Sequence, residues 1–317
     1  MNHEAAPSPP PVEPAIETAP KMKKLPFKQR AMRQIRRLII MYICWCVLLF
    51  FGQRWVIFPD YVTPEPGPEE KYDNSTVVLT RDIGDGEKVI AWYIPSPSAR
   101  KGVPSPLVVY FHGNAEIIDT QPFPIEMYRN LNCSILLPEY RSYGRSKGTP
   151  SEKNIVDDAI YFHDEILKRP EVDHGRVFFH GRSLGAAVAA QLAVHRTPRL
   201  LILGSPFTSI RPFARRILAP TFLLRSTFDT DRVLPDFKFP VLIQHGVDDD
   251  IVPISHGRKL KELAKDCTYV EYQCMHNDFP GDNNAEQYFS DVRAFLEKNV
   301  IVRNSRDEGS RPTVRRL

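Results

Sequence analysis

A serine with glycine two residues to either side occurs at Gly181-Arg182-Ser183-Leu184-Gly185, behind the apolar run Val177-Phe178-Phe179 and ahead of the small-residue stretch AAVAAQLAVH. The pattern predicts a strand, a sharp turn and a helix, with Ser183 at the apex. A nucleophilic hydroxyl must stand clear of its own backbone, and side chains at 181 and 185 would collide with neighbouring elements in such a turn. The turn also aims the Leu184 N–H at the point where an oxyanion would form, and the helix behind it favours negative charge there. G-x-S-x-G alone is common; the strand before it and the helix after it make the signal specific.

Such a serine needs a base and an acid. The run Val241–Gln244 ends in His245-Gly246-Val247-Asp248-Asp249-Asp250, and the next strand pattern, TYVEYQ, ends in Cys274-Met275-His276-Asn277-Asp278. One carboxylate of the three, taken as Asp249, can orient an imidazole and stabilise its cation, while the other two read as a solvated turn. His276 lies on a strand-end loop, where a general base can reach back over the serine. A second oxyanion donor is expected after the run Leu107–Phe111, from the backbone N–H of Asn114 or Ala115. His112 and His245 each precede a glycine at a strand end and read as structural histidines, and His180 reads as packing. His163, His174, His195 and His256 have no evident partner.

These residues need a scaffold that gathers strand ends. Apolar runs at Thr76–Thr80, Val89–Ile94, Leu107–Phe111, Ser134–Leu137, Val177–Phe179, Leu200–Leu203, Val241–Gln244 and Thr268–Gln273 read as eight strands, the first two a hairpin around Gly84-Asp85-Gly86. Helical patterns lie between them at Ile117–Asn130, Ser151–Lys168 (with Ser151 as N-cap), Ser183–His195, His256–Lys265 and Ala285–Asn299. The alternation predicts the α/β class, with a mostly parallel sheet covered by helices on both faces. Ligands of such sheets collect at the carboxyl ends of the strands, where all the candidate residues fall.

The chain has 317 residues, 42% of them hydrophobic, and a net charge of +4. That charge belongs to the flanks. Residues 1–37 carry eight Lys/Arg against three acids, and 303–317 carry five Arg against two, so the body between them is net acidic. This gives no reason to expect nucleic-acid binding. The five cysteines show neither metal-ligand spacing nor a disulfide framework, and no metal or cofactor is expected. Six prolines in the first twenty residues mark a tail expected to be disordered, as is 303–317.

Leu38–Gly52 is fifteen uncharged residues behind eight basic ones. As a helix it measures about 22 Å, short of a hydrocarbon core of roughly 30 Å, and the deficit closes if Arg36 and Arg37 snorkel on one side and Gln53-Arg54-Trp55 lie near the opposite interface. A membrane anchor over 38–58 is therefore expected, with no A-x-A cleavage site after it. The basic excess places the N-terminus in the cytoplasm and the catalytic domain in a lumen or outside the cell. The sequon at Asn74 is compatible with that side. An in-plane or re-entrant anchor, acylated at Cys44 or Cys46, would leave the domain cytosolic.

Six stretches together resemble the α/β-hydrolase superfamily: QRWVIFPD (53–60), FHGNAE (111–116), PEYRSYGRSKGTPSE (138–152), HGRSLGAAVA (180–189), QHGVDDDIVP (244–253) and MHND (275–278). The chain is most similar to its membrane-anchored, small-lid serine hydrolases, a group with protein depalmitoylases and serine-aminopeptidase-like proteins. The resemblance implies the fold over 59–302, a triad of Ser183, Asp249 and His276, and an oxyanion hole from Leu184 and the Asn114 loop. Residues 204–240, rich in aromatic, Leu and Arg side chains, would form a short lid of one or two helices. The expected substrate is an acylated lipid or protein, cleaved at an ester or thioester. A peptidase of the same chemistry and a non-catalytic scaffold are the alternatives.

Overall fold

The computed structural model describes residues 26–300; the tails expected at 1–20 and 303–317 lie outside the described residues. The chain divides at Val47/Leu48 into two units. In the first, the described part is helix α1, which runs Phe27–Ile57 and continues into the second unit. It thus begins eleven residues before the apolar stretch of the sequence. Among the described residues it is the one helix long and apolar enough to cross a membrane, and its apolar window is unburied. The far end behaves differently. Ile57 and Phe58 are 8% and 1% exposed and belong to the core of the second unit.

That unit is built on eight strands: β1 Val77–Gly84, β2 Glu87–Ile94, β3 Ser105–Phe111, β4 Ser134–Pro138, β5 Val172–Arg182, β6 Leu201–Gly204, β7 Val241–Gly246 and β8 Cys267–Tyr272. They form one sheet in the order β1-β2-β4-β3-β5-β6-β7-β8. The β1–β2 hairpin and the β2–β4 pair are antiparallel, and all other pairs are parallel. The interleaved helices are α2 Pro122–Asn130, α3 Glu152–Ile166, α4 Leu184–His195, α5 Arg211–Arg216, α6 Thr230–Val233, α7 Ser255–Leu263 and α8 Ala285–Asn299. Ser151 caps α3, its Oγ accepting from the Asn154 N–H at 3.1 Å.

The fully buried β3 explains why both faces must be covered, because alternate residues enter two separate cores. Leu107, Val109 and Phe111 pack with α3 and α4 on one face, while Val108 and Tyr110 pack with α2 and α8 on the other. The register aligns Phe111 with Gly181, Arg182 with Gly204, and Gly246 with Tyr272. The carboxyl ends of β3, β5, β7 and β8 therefore finish along one edge of the sheet, where ligands bind in folds of this kind.

Candidate active site

Between β5 and α4 the backbone turns within one residue. Ser183 has φ 53° and ψ −115°, a left-handed strain for a side chain with a Cβ. Both flanking glycines are sterically required. A Cβ on Gly181 would lie 2.0 Å from the Gly185 carbonyl oxygen, and one on Gly185 would lie 2.1 Å from the Phe111 carbonyl oxygen. The turn is pinned to the sheet where the Ser183 N–H donates to the Gly204 carbonyl at 2.8 Å.

The structure brings together the three residues that the sequence placed on separate strand ends. Ser183 Oγ is 2.9 Å from His276 Nε2, and His276 Nδ1 is 2.8 Å from Asp249 Oδ2. All three are buried. Asp249 is the inward member of its acidic run, and Asp248 and Asp250 are exposed. Its other oxygen accepts from the N–H groups of Ile251 and Val252, at 3.1 and 2.7 Å. Burial acts to raise its pKa. The hydrogen bonds from His245, His276 and Val252 outweigh that effect and hold the carboxyl well below the usual carboxylate range. A permanently ionised Asp249 fixes the His276 tautomer, leaving Nε2 free to accept the Ser183 proton.

Asn114 and Ala115 border the same cavity as Ser183, Leu184 and His276, a hollow of about 490 Å³. The Asn114 side chain is committed to structure. Its Nδ2 donates to the Ile57 carbonyl at 2.9 Å, and its Oδ1 accepts from Tyr143 Oη at 2.6 Å and from the Ala115 N–H at 3.2 Å. Phe207, Ile210 and Phe213 of the segment after β6 form part of the cavity wall, with Val56 and Ile57 from the end of α1.

Two supports were missed in the sequence, and a third, His245, was read as structural without its partner. Arg182 donates to the Glu116 carboxylate and to the His276 main-chain carbonyl, and Glu116 also accepts from the Gly113 N–H at 3.0 Å. His245 Nε2 lies 2.8 Å from the Val252 carbonyl and 3.4 Å from Asp249 Oδ2, so this histidine buttresses the acid turn. Val56 and Ile57 read only as anchor. Arg182, Glu116 and His245 stood inside the motifs, but nothing in spacing pairs residues 66 or 94 positions apart.

Three further histidines are structural. His112 is held by Glu139 through Nε2 and by the Gly113 carbonyl through Nδ1, both at 2.8 Å. Two acceptors call for two ring protons, and the Glu139 carboxylate raises the His112 pKa against the opposing effect of burial. His180 lies against Tyr128 and Tyr288, and burial pushes its pKa down to about 3. His256 accepts from Thr208 and stacks on Phe213.

Strand order, elbow and site geometry define the class as α/β hydrolases, and comparison with known proteins agrees. The chain is 31% identical over 280 residues to the alpha/beta hydrolase domain-containing protein WAV2 of Arabidopsis thaliana, covering 78% of this chain and 90% of that one. It is 30% identical over 235 residues to protein bem46 of Schizosaccharomyces pombe, covering 70% and 76%. No family model matches. Among solved structures, the esterase Est1E of Butyrivibrio proteoclasticus superposes with a TM-score of 0.56 at 18% identity over 70% of this chain and 98% of that one. An acylaminoacyl peptidase superposes at 0.59 and 15%, over 71% of this chain and 41% of that one. The protein belongs to the α/β-hydrolase family, and it is a hydrolase.

Proposed function

We propose that the protein is a membrane-anchored serine hydrolase that cleaves acyl esters or thioesters. The observation that carries this reading is the unbroken chain Ser183 Oγ–His276–Asp249, with contacts of 2.9 and 2.8 Å. His276 Nε2 takes the hydroxyl proton as Ser183 Oγ attacks the acyl carbon, and the imidazolium is stabilised by Asp249. The tetrahedral anion is met by the N–H of Leu184, at the first turn of α4, and by that of Asn114. Asn114 is preferred to Ala115 because the Ala115 N–H already donates to Asn114 Oδ1. His276 then protonates the leaving alcohol or thiol, and water, deprotonated by the same imidazole, releases the acid and restores Ser183.

The cavity favours an acyl group over a peptide terminus. Arg182, the one basic side chain besides His276 among its lining residues, is already paired with Glu116 and the His276 carbonyl. The substrate is an acylated lipid or protein, and no nucleic acid is involved. Helix α1 holds the protein in the bilayer, with the basic N-terminus cytoplasmic and the catalytic domain lumenal or extracellular.

The test uses the full chain in membranes. A fluorophosphonate probe should label the wild type at Ser183, and p-nitrophenyl ester or acyl-thioester turnover should vanish in Ser183→Ala. Equal labelling or equal turnover of the two proteins would refute the assignment. Protection of the domain from external protease in sealed microsomes supports the lumenal orientation, and its digestion overturns it.

A further inference from the structure

A second hollow, of about 200 Å³, adjoins the Ser183 cavity. One wall is the last part of α1, residues 49–57, and the other is the lid between Ile210 and Leu224. Gln53 is the single polar residue among those that line it, and its polar atoms are used elsewhere. Its Nε2 donates to the Phe50 and Leu223 carbonyls at 2.8 and 3.2 Å, and its Oε1 accepts from the Arg225 N–H at 2.7 Å. These bonds also tie the end of α1 to the lid, so the hollow is a built feature of this unit. Water gains nothing in a space without polar partners, whereas an apolar occupant leaves water at a gain.

Four residues, Val56, Ile57, Ile210 and Phe213, line both this hollow and the Ser183 cavity. An apolar chain whose first carbon is bonded at Ser183 can therefore run past Phe213 into the second hollow without meeting a charged group. Phe51 on α1 and Phe222 on the lid, each next in sequence to a lining residue, are 68% and 84% exposed, which suits a mouth facing hydrocarbon.

We propose that this hollow seats the distal part of a long acyl chain, making the substrate a long-chain acyl ester or thioester drawn from the bilayer. The proposal rests on the acyl-hydrolase reading above and deepens it. Each methylene buried there should raise the specificity constant about four-fold until the hollow is full.

The test measures second-order labelling of Ser183 by alkyl fluorophosphonates of increasing chain length on the full chain in detergent micelles. Comparing variants with the same probe cancels partitioning into the micelle. The wild type should label at least ten-fold faster with a dodecyl probe than with an ethyl probe. Ala219→Phe, which fills the hollow from the lid, should keep the ethyl rate within two-fold and lose the dodecyl gain. Leu223→Ala, which widens it, should keep the ethyl rate and move the optimum to longer chains. Variants that track the wild type at every chain length would overturn the proposal. A wild type indifferent to chain length would overturn it too. Absence of labelling by the ethyl probe would sink the proposed Ser183 acyl-hydrolase reading itself.

Discussion

Arg182 donates through its guanidinium to the main-chain carbonyl of His276, 94 positions further along the chain. The same guanidinium binds Glu116, which accepts from the Gly113 N–H in the loop after β3. The residue beside Ser183 thus ties the His276 loop to the loop after β3. Arg182→Gln should lower kcat by about 10- to 100-fold with little change in KM, because a misplaced base weakens the transition state more than substrate binding. Arg182→Lys should recover part of the loss, since an ammonium can hold one acceptor well but not the fork of two. Steady-state kinetics on a soluble ester checks both, and a kcat unchanged in Arg182→Gln would overturn the positioning role.

Three adjacent aspartates offer a direct test of the acid. Asp249 is buried against His276 while Asp248 and Asp250 are exposed. Asp249→Asn should cut kcat by about 10³- to 10⁴-fold by favouring the wrong imidazole tautomer, and Asp248→Asn should remain near wild type. Ester turnover of the two variants side by side decides the assignment, provided their thermal melts match.

The elbow glycines predict a sharp contrast in stability. An added Cβ at Gly185 would strike the carbonyls of Phe111 and His112, at 2.1 and 2.5 Å, and backbone there cannot yield without disturbing β3. Gly185→Ala should cost about 4 kcal/mol or more, or prevent folding outright. Gly52→Ala, in α1 with nothing within 4 Å of the new methyl, should leave the domain stable to within about 1 kcal/mol. Urea titration followed by tryptophan fluorescence measures the difference.

Acid should destabilise the domain well before its carboxylates protonate. Burial, the leading cause in each case, lowers the pKa of His163, His180 and His256, that of His180 to about 3. These side chains refuse a proton when folded and accept one when unfolded. Stability is therefore complete above the ordinary imidazole pKa of about 6.5 and is lost as pH falls below it. His180 alone accounts for about 2 kcal/mol between neutrality and pH 5. His112, raised by Glu139, works with the opposite sign, but it is one group against three. Tm should fall by several degrees from about pH 7.5 to about pH 5, less so in His180→Gln; a Tm that held steady or rose would contradict this account.

The elbow, the alternation of strands and helices, and the strand-end places of Ser183, Asp249 and His276 were legible in the chain itself. They depend on local rules: a side chain that fits no space at 181 or 185, an apolar run such as Leu107–Phe111 that must be covered twice, and loops that begin where strands end. The first helix was legible in kind but not in extent. Basic residues from Lys28 onward extend it outward, while at its other end Ile57 enters the core and, with Val56, makes part of the cavity wall.

Sequence by itself determined which groups are of a type to do acyl-transfer chemistry and at which strand ends they stand, because residue type and hydrophobic period act over a few positions. Only the tertiary structure decided that Arg182 reaches His276, that His245 buttresses Asp249, and that Gln53 joins helix to lid. Those contacts join residues that sheet register or a packed lid brings together, and a linear pattern carries no record of the closure that makes them neighbours.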